Sequence, residues 1–266
     1  MNQSNPNVKK VVLRCAYLGL RYHGFQSQPD VPTVQAELIA ALRRLGYRYQ
    51  LRFVSRTDAR VSAVDQILLL PNNIPAVSLL NETLPNDIRI WSYAISSERL
   101  MVLSKTYLYV APRLDVNEDV LLEASEYVSA QTHDYYHLIK KPSRLPRAET
   151  LMRLKIRLKF ERDNIYFFVK GKKFHWEQVR RLITLLMSVG LRIISMNSLR
   201  SILVGKPYRG GIPPAPPEGL ILWKIETNID NVFKCIISES RIREWVLREV
   251  KDAALKAKWT FPPREF

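Results

Sequence analysis

Asp58 stands between two arginines in the polar segment Ser55-Arg56-Thr57-Asp58-Ala59-Arg60-Val61-Ser62-Ala63, which leads into the apolar run Ile67 to Leu70. A carboxylate beside cations keeps its charge even when partly withdrawn from water, because the neighbouring positive charges favour the ionised form. Such a group can act as a nucleophile or a base. Segments of this kind also occur as plain turns, in which the Asp caps the backbone and the arginines are solvated. Other chemistry has less to stand on. His133 and His137 sit four positions apart, but no Glu follows the first and no cysteine cluster lies nearby, which argues against a metal site. The chain has neither a Gly-x-x-x-x-Gly-Lys-Ser/Thr loop nor a Gly-x-Gly-x-x-Gly loop, so a nucleotide cofactor has no usual cradle. Cys15 and Cys235 form neither a disulfide framework nor a zinc pattern.

The charge of the chain narrows the choice of partner. Its 266 residues carry 41 Lys and Arg against 25 Asp and Glu, a formal net charge of +16. That excess points to a polyanion, with nucleic acid ahead of an acidic membrane surface. No apolar run approaches the roughly 18 to 20 residues needed to span a bilayer. Met1 to Lys10 is polar and lacks the apolar core of a secretion signal, so a cytoplasmic protein is expected.

The elements that would position Asp58 follow from periodicity. Residues 11 to 18 read as a strand ended by the glycines at 19 and 24, with the polar and aromatic loop Arg21-Tyr22-His23 between them. Pro32-Thr33 opens a helix with Val34, Leu38, Ala41, Leu42 and Leu45 at helical spacing, closed by Gly46. Further elements are a strand at Ile67 to Leu70, a short helix around Leu79 to Thr83, and a strand from Ile88 to Ile95. From Val102 to Val110 a strand places Leu103, Lys105, Tyr107 and Tyr109 on one face. Asn117 caps a helix carrying Val120, Leu121, Ala124 and Val128. Residues 150 to 161 alternate strictly and predict one strand, with Arg153, Lys155, Arg157 and Lys159 on a face that meets either RNA or solvent. His175 to Val189 is expected to be a helix with Trp176, Val179, Ile183 and Leu186 as its buried stripe. A Gly- and Pro-rich loop from Tyr208 to Gly219, a strand from Leu220 to Glu226 and a charged amphipathic helix from about Glu239 to Lys258 complete the chain. The order of elements indicates an α+β fold with a mostly antiparallel sheet. Two halves are expected, 1–100 carrying Asp58 and 101–266 carrying Tyr107, Arg180 and the terminal helix.

Arg56-Thr57-Asp58-Ala59-Arg60-Val61-Ser62-Ala63 resembles the Arg-Thr-Asp-x-Gly-Val-His-Ala signature of the TruA-type tRNA pseudouridine synthases. Tyr17-Leu18-Gly19, Tyr22 to Gln26 and Thr33-Val34-Gln35 are similar to that family's opening strand, loop and helix. Leu84 to Ile88, Lys105 to Val110, Thr132 to Tyr135, Phe174 to Arg180 and Ala215 to Leu220 match further family motifs in the same order. The departures lie beside Asp58, where Arg60 stands in place of Gly and Ser62 in place of His, and in Phe174-His175-Trp176-Glu177-Gln178, which alters a Phe-Leu-x-x-Met motif.

The resemblance implies two ferredoxin-like or RRM-like halves with mostly antiparallel sheets around a central basic cleft. It implies an enzyme that isomerises uridine to pseudouridine in the anticodon stem-loop of tRNA as a homodimer, with neither cofactor nor metal. Carried over residue by residue, Asp58 is the catalytic carboxylate and Tyr107 stacks on the target base and assists proton removal. Arg56 fills the space left by the flipped nucleotide, and Arg180 pairs with Asp58. A base inside a helical stem has to be flipped out to be reached, which calls for an aromatic platform and a space-filling residue. A noncatalytic RNA-binding protein on the same scaffold is the competing expectation.

Overall fold

The computed structural model describes residues 9–48, 50–71 and 76–265. The polar N-terminal stretch considered above therefore lies, up to residue 8, outside the described residues. In chain order the elements are β1 (Lys10–Tyr17), α1 (Val34–Arg44), β2 (Arg52–Phe53), β3 (Ser62–Pro71), α2 (Val77–Thr83), β4 (Ile88–Ser96), β5 (Val102–Pro112), α3 (Glu118–Ala130), β6 (His133–Asp134), β7 (Leu151–Met152), β8 (Lys155–Phe160), β9 (Asn164–Gly171), α4 (Gln178–Gly190), α5 (Met196–Leu203), β10 (Leu220–Thr227), β11 (Lys234–Cys235) and α6 (Glu239–Lys256). The fold is α+β and its strand pairing is mostly antiparallel. Among the described residues no helix is long and apolar enough to cross a membrane.

Two compact units form, Met1–Lys105 with Ile221–Asp252, and Thr106–Leu220 with Ala253–Phe266. Where the sequence suggested an unbroken second half from 101 to 266, residues 221–252 instead group with the N-terminal unit.

In the first unit the apolar run from Val11 to Tyr17 becomes a central strand, antiparallel to β3 on one side and to β4 on the other. β11 adds to the far edge of β4, and β10 joins β3 in parallel, with Ile221 opposite Ser62 and Leu222 opposite Ala63. Helix α1 starts where the Thr33 hydroxyl accepts the Ala36 N–H at 3.4 Å, and it buries Val34, Leu38, Ala41 and Leu42. β3 begins at Ser62, five residues before the expected strand. Asp65 and Gln66 broke the apolar pattern, yet both are buried with polar partners. Arg14 on β1 forms a buried ion pair with Asp65, and its second terminal nitrogen meets Asp230 at 2.7 Å. Asp65 also accepts the backbone N–H of Ile225 at 2.8 Å, and the Arg14 guanidinium lies 4.2 Å from the Phe233 ring centroid. Four chain segments thus converge on one cation.

In the second unit β9 lies between β5 and β8. α4 supplies most of the apolar mass, and every residue from Leu182 to Gly190 is buried. The expected single strand at 150–161 is in fact two pieces. Met152 pairs with His133, whereas Lys155 pairs with Lys170, so the ends of one alternating run serve different partners. Arg153 falls between them and its guanidinium donates to the Ala130 carbonyl at 3.1 Å. β8 ends the strand order, so its inward residues Ile156, Leu158 and Phe160 are only half-buried. The expected helix at His175 begins instead at Gln178, because Glu177 adopts a left-handed backbone with φ 59°. Trp176 therefore lies outside α4 and is exposed rather than part of the buried stripe. The eight-residue α5 was not legible from periodicity.

Replacing Asp65 with Ala strands the Arg14 charge in a site where both side chains are under a tenth exposed. Breaking such a pair costs about 3–5 kcal/mol. Urea unfolding of Asp65→Ala is expected to show a loss of that size. Asp230→Ala, whose carboxylate is partly solvated, should lose clearly less.

Candidate functional site

The loop carrying Asp58 spans residues 54–61, between β2 and β3, and polar side chains fix it at both ends. At its start the Val54 N–H donates to the Ile67 carbonyl at 3.1 Å. The Gln66 side chain brackets Ser55, accepting its N–H at 3.1 Å and donating to its carbonyl at 2.5 Å. Lys105, half-buried on β5, donates from Nζ to the Val54 carbonyl at 3.3 Å, and burial pushes its ammonium pKa down.

A second loop, 18–25, grips the segment from the other side. The hydroxyls of Tyr17 and Thr57 are hydrogen-bonded at 2.7 Å in a buried setting, and the Phe25 N–H donates to the Thr57 carbonyl at 3.2 Å. The Arg60 N–H donates to the Tyr22 carbonyl at 3.0 Å, and the Gly19 N–H donates to Ser62 Oγ at 2.9 Å. Asp87 holds this second loop in turn, accepting the Tyr22 hydroxyl at 2.6 Å while its carbonyl accepts the Leu18 N–H at 2.9 Å. The two loops meet so closely that a Cβ on Gly19 would overlap the Val61 carbonyl. Between these anchors the Val61 N–H donates to the Asp58 carbonyl at 3.2 Å, closing a turn that presents a half-buried Asp58. Arg56 and Arg60 on either side are exposed.

Both departures near Asp58 have a physical reading. Arg60 keeps the left-handed backbone, φ 67°, that a glycine would adopt freely. The loop geometry is thus retained at a steric cost of roughly 1–2 kcal/mol. Ser62 is buried, and its hydroxyl ties the loop to Gly19.

The other two site residues lie in the second unit. Tyr107 on β5 is buried and meets Phe174 edge-on, with ring centroids 5.1 Å apart at 88°. Two positions on, Tyr109 donates its hydroxyl to the Pro216 carbonyl at 2.9 Å and packs edge-on against Trp259. Burial pushes the Tyr109 phenol pKa well up, with Arg180 opposing and Glu218 adding to the rise. Arg180 sits in the first turn of α4, where its Nε donates to the Ala215 carbonyl at 2.5 Å and its own carbonyl accepts the Ala215 N–H at 3.1 Å. The Pro-rich segment before β10 therefore fixes this guanidinium from both its backbone and its side chain. The structure thus groups Arg56 with Asp58 on one loop, and Arg180 with Tyr109 in the second unit, where Tyr107 packs on Phe174.

Among the described residues no cluster of His, Cys, Asp and Glu could hold a metal. His133 and His137 each direct a ring nitrogen to a backbone carbonyl, of Tyr127 at 3.0 Å and of Gly205 at 3.1 Å. Asp134 supports the fold by accepting the Thr150 hydroxyl at 2.7 Å and the Tyr136 N–H at 2.9 Å, and it pairs with Arg147 at 2.5 Å. Sequence reasoning missed Tyr17, Thr57 and Gln66 as the clamp of the Asp58 loop. Polar residues inside otherwise apolar strands were the available signal.

A family model described as tRNA pseudouridine synthase matches residues 132–228. Among similar proteins is the tRNA pseudouridine synthase A of Archaeoglobus fulgidus, 32% identical over 251 residues, covering 90% of this chain and 92% of the relative. The protein of the same name from Pyrococcus furiosus is 32% identical, covering 84% of this chain and 87% of its own length. That from Thermococcus kodakarensis is 34% identical, covering 82% and 84%.

Gly19→Ala forces apart the two loops that clamp Asp58. Overpacking of this kind costs about 1–3 kcal/mol. Denaturant titration is expected to show that loss, and an unchanged midpoint would mean that the loops separate without resistance.

Proposed function

This chain belongs to the TruA-type tRNA pseudouridine synthases and isomerises uridine in tRNA to pseudouridine; on that premise we propose that it acts in the anticodon stem-loop, with Asp58 as its nucleophile. The observation that carries the assignment to Asp58 is the double clamp on its loop, through Thr57 and Arg60 on one side and Ser55 on the other. A carboxylate fixed in this way reaches the substrate without first losing the freedom of a mobile loop, which is where much of a positioned group's advantage arises.

In the reaction the bond from C1′ to N1 of the uracil breaks and a bond from C1′ to C5 forms. The base loses the C5 proton and gains one at N1, so there is no net oxidation or reduction. Asp58 supplies the nucleophile that releases the base for its rotation. Tyr107 provides an aromatic face for the uracil and assists removal of the C5 proton. Arg180 is the counter-cation that keeps Asp58 ionised. Arg56, exposed beside the nucleophile, fills the gap from which the nucleotide was extruded, and in doing so offsets part of the unstacking cost of a few kcal/mol. We assign the reaction to the protein alone, without cofactor or metal, acting as a homodimer in the cytoplasm.

The test incubates the purified protein with unmodified tRNA transcript and maps pseudouridine position by position. Product confined to the anticodon stem-loop is expected. Asp58→Ala should lower the rate by more than about a thousand-fold, as removal of a nucleophile does elsewhere, while tRNA binding persists. Tight binding of tRNA without product from the intact protein would favour the noncatalytic reading. Undiminished product from Asp58→Ala would place the nucleophile at another residue.

A further inference from the structure

Trp176 is the one aromatic side chain among the strongly exposed large hydrophobic residues described, at 46% exposure. Its position is tightly determined for a surface residue. The Lys140 N–H donates to the Trp176 carbonyl at 3.0 Å, and the next residue, Glu177, takes the left-handed backbone that turns the indole out of α4. Glu177 is nearly buried and bridges two cations, Lys140 at 2.8 Å and Arg181 at 2.6 Å. Although burial alone would raise its pKa, these two partners hold the carboxyl below its ordinary value. Arg181 is anchored in turn to the Ile212 carbonyl at 2.6 Å.

Two ammonium groups border the indole, Lys140 Nζ at 4.2 Å and Lys141 Nζ at 5.7 Å from the ring centroid. Lys140 is neutralised by Glu177. Lys141 has no carboxylate partner among the described residues, nor do Arg144 and Lys172 on the neighbouring stretches of chain. Packing gives no reason for an outward-facing indole beside the unneutralised Lys141, since the residue leaves about half its surface in water. Such a set does suit a single-stranded nucleic acid, whose bases stack on aromatic faces while cations follow the backbone. The ring lies four residues before Arg180, on the approach to α4.

We propose that Trp176 is a stacking platform for an unpaired base of the tRNA substrate and that Lys141 holds an adjoining phosphate. This proposal rests on the reading of the chain as a tRNA enzyme. It adds a contact outside Asp58, Tyr107, Arg56 and Arg180, at an unspecified position of the Phe-Leu-x-x-Met motif, whose Leu and Met are replaced here by His175 and Gln178.

Binding of unmodified tRNA transcript is measured by filter retention and by tryptophan fluorescence, in the Asp58→Ala background so that no turnover intervenes. Trp176→Ala should weaken binding on the order of ten-fold, and Trp176→Phe should recover most of that loss. The intact chain has five tryptophans, and the fluorescence quenched by tRNA should fall measurably in Trp176→Phe. Lys141→Ala should flatten the salt dependence of log affinity by about one phosphate contact. Equal affinity of Trp176→Ala and its parent would overturn the proposal while leaving the tRNA reading intact. If Trp176→Ala fails to fold, Trp176→Phe decides alone, because unchanged quenching would mean that the indole lies away from the RNA. Failure of the parent to bind tRNA at all would overturn both readings.

Discussion

The buried ion pair between Arg14 and Asp65 is the constraint on which the first unit depends. Arg14 comes from the central strand, Asp65 from its neighbour, and Asp230 from the stretch that follows β10. Two apolar strands pair readily in more than one register, because backbone hydrogen bonds alone do not distinguish slips of two residues. A charged pair that must meet in a dry interior does distinguish them, since any slip leaves each charge unpaired at a cost of several kcal/mol. The same carboxylate accepts the Ile225 N–H, which draws β10 to its place beside β3. The register of β3, which begins at Ser62, is what sets the end point of the loop at residues 54–61, and therefore where Asp58 stands.

That loop shows how a departure from a family pattern can leave geometry intact. Glycine at position 60 would supply a left-handed backbone without strain. Arginine takes the same backbone, φ 67°, because the hydrogen bonds on either side over-determine it. The Arg60 N–H is committed to Tyr22 and the Val61 N–H to Asp58, so relaxing the strain would forfeit two bonds. Strain of roughly 1–2 kcal/mol is smaller than the cost of leaving two backbone groups unpaired in a partly buried loop. Ser62 is similar in kind. Its hydroxyl closes onto Gly19, so a shorter side chain serves as a latch within the protein.

Much of this was legible in the sequence, and the failures share a cause. The Thr33-capped helix, the Asn117-capped helix and the strand at 88–95 follow from capping chemistry and apolar period, which are local properties. The Asp58 loop and its neighbours were found because the motif residues are contiguous. What stayed hidden depends on partners far along the chain. The strand read at 150–161 breaks because Met152 and Lys155 pair with different strands, a choice that alternation cannot express. β3 starts early because Asp65 and Gln66 are buried against Arg14 and Ser55, 51 and 11 positions away. The return of residues 221–252 to the first unit follows from the same long-range pairing. Trp176 was assigned to a buried stripe because its spacing fits α4, and only the reversed backbone of Glu177 removes it.

The net charge of +16 acquires a more specific meaning once its members are placed. Some of the cations are already engaged by the fold. Arg14 is buried, the exposed Arg147 pairs with Asp134 and lies 4.1 Å from the Tyr136 ring centroid, and the exposed Arg157 lies 4.6 Å from that of Phe168. Others are paired at the surface, as Lys159 is with Glu161. Charge already engaged in this way contributes less to the affinity for a polyanion, because counterion release depends on cations that meet phosphate directly. The alternating face of β8 is accordingly a weaker candidate for RNA contact than its sequence suggested. Arg153 has left the strand, Arg157 rests on an aromatic ring, and Lys159 has its own carboxylate, which leaves Lys155 as the strand's cation without a described partner. Position along the chain made that row of charges conspicuous, but the packing of each side chain decides how much of it a nucleic acid can use.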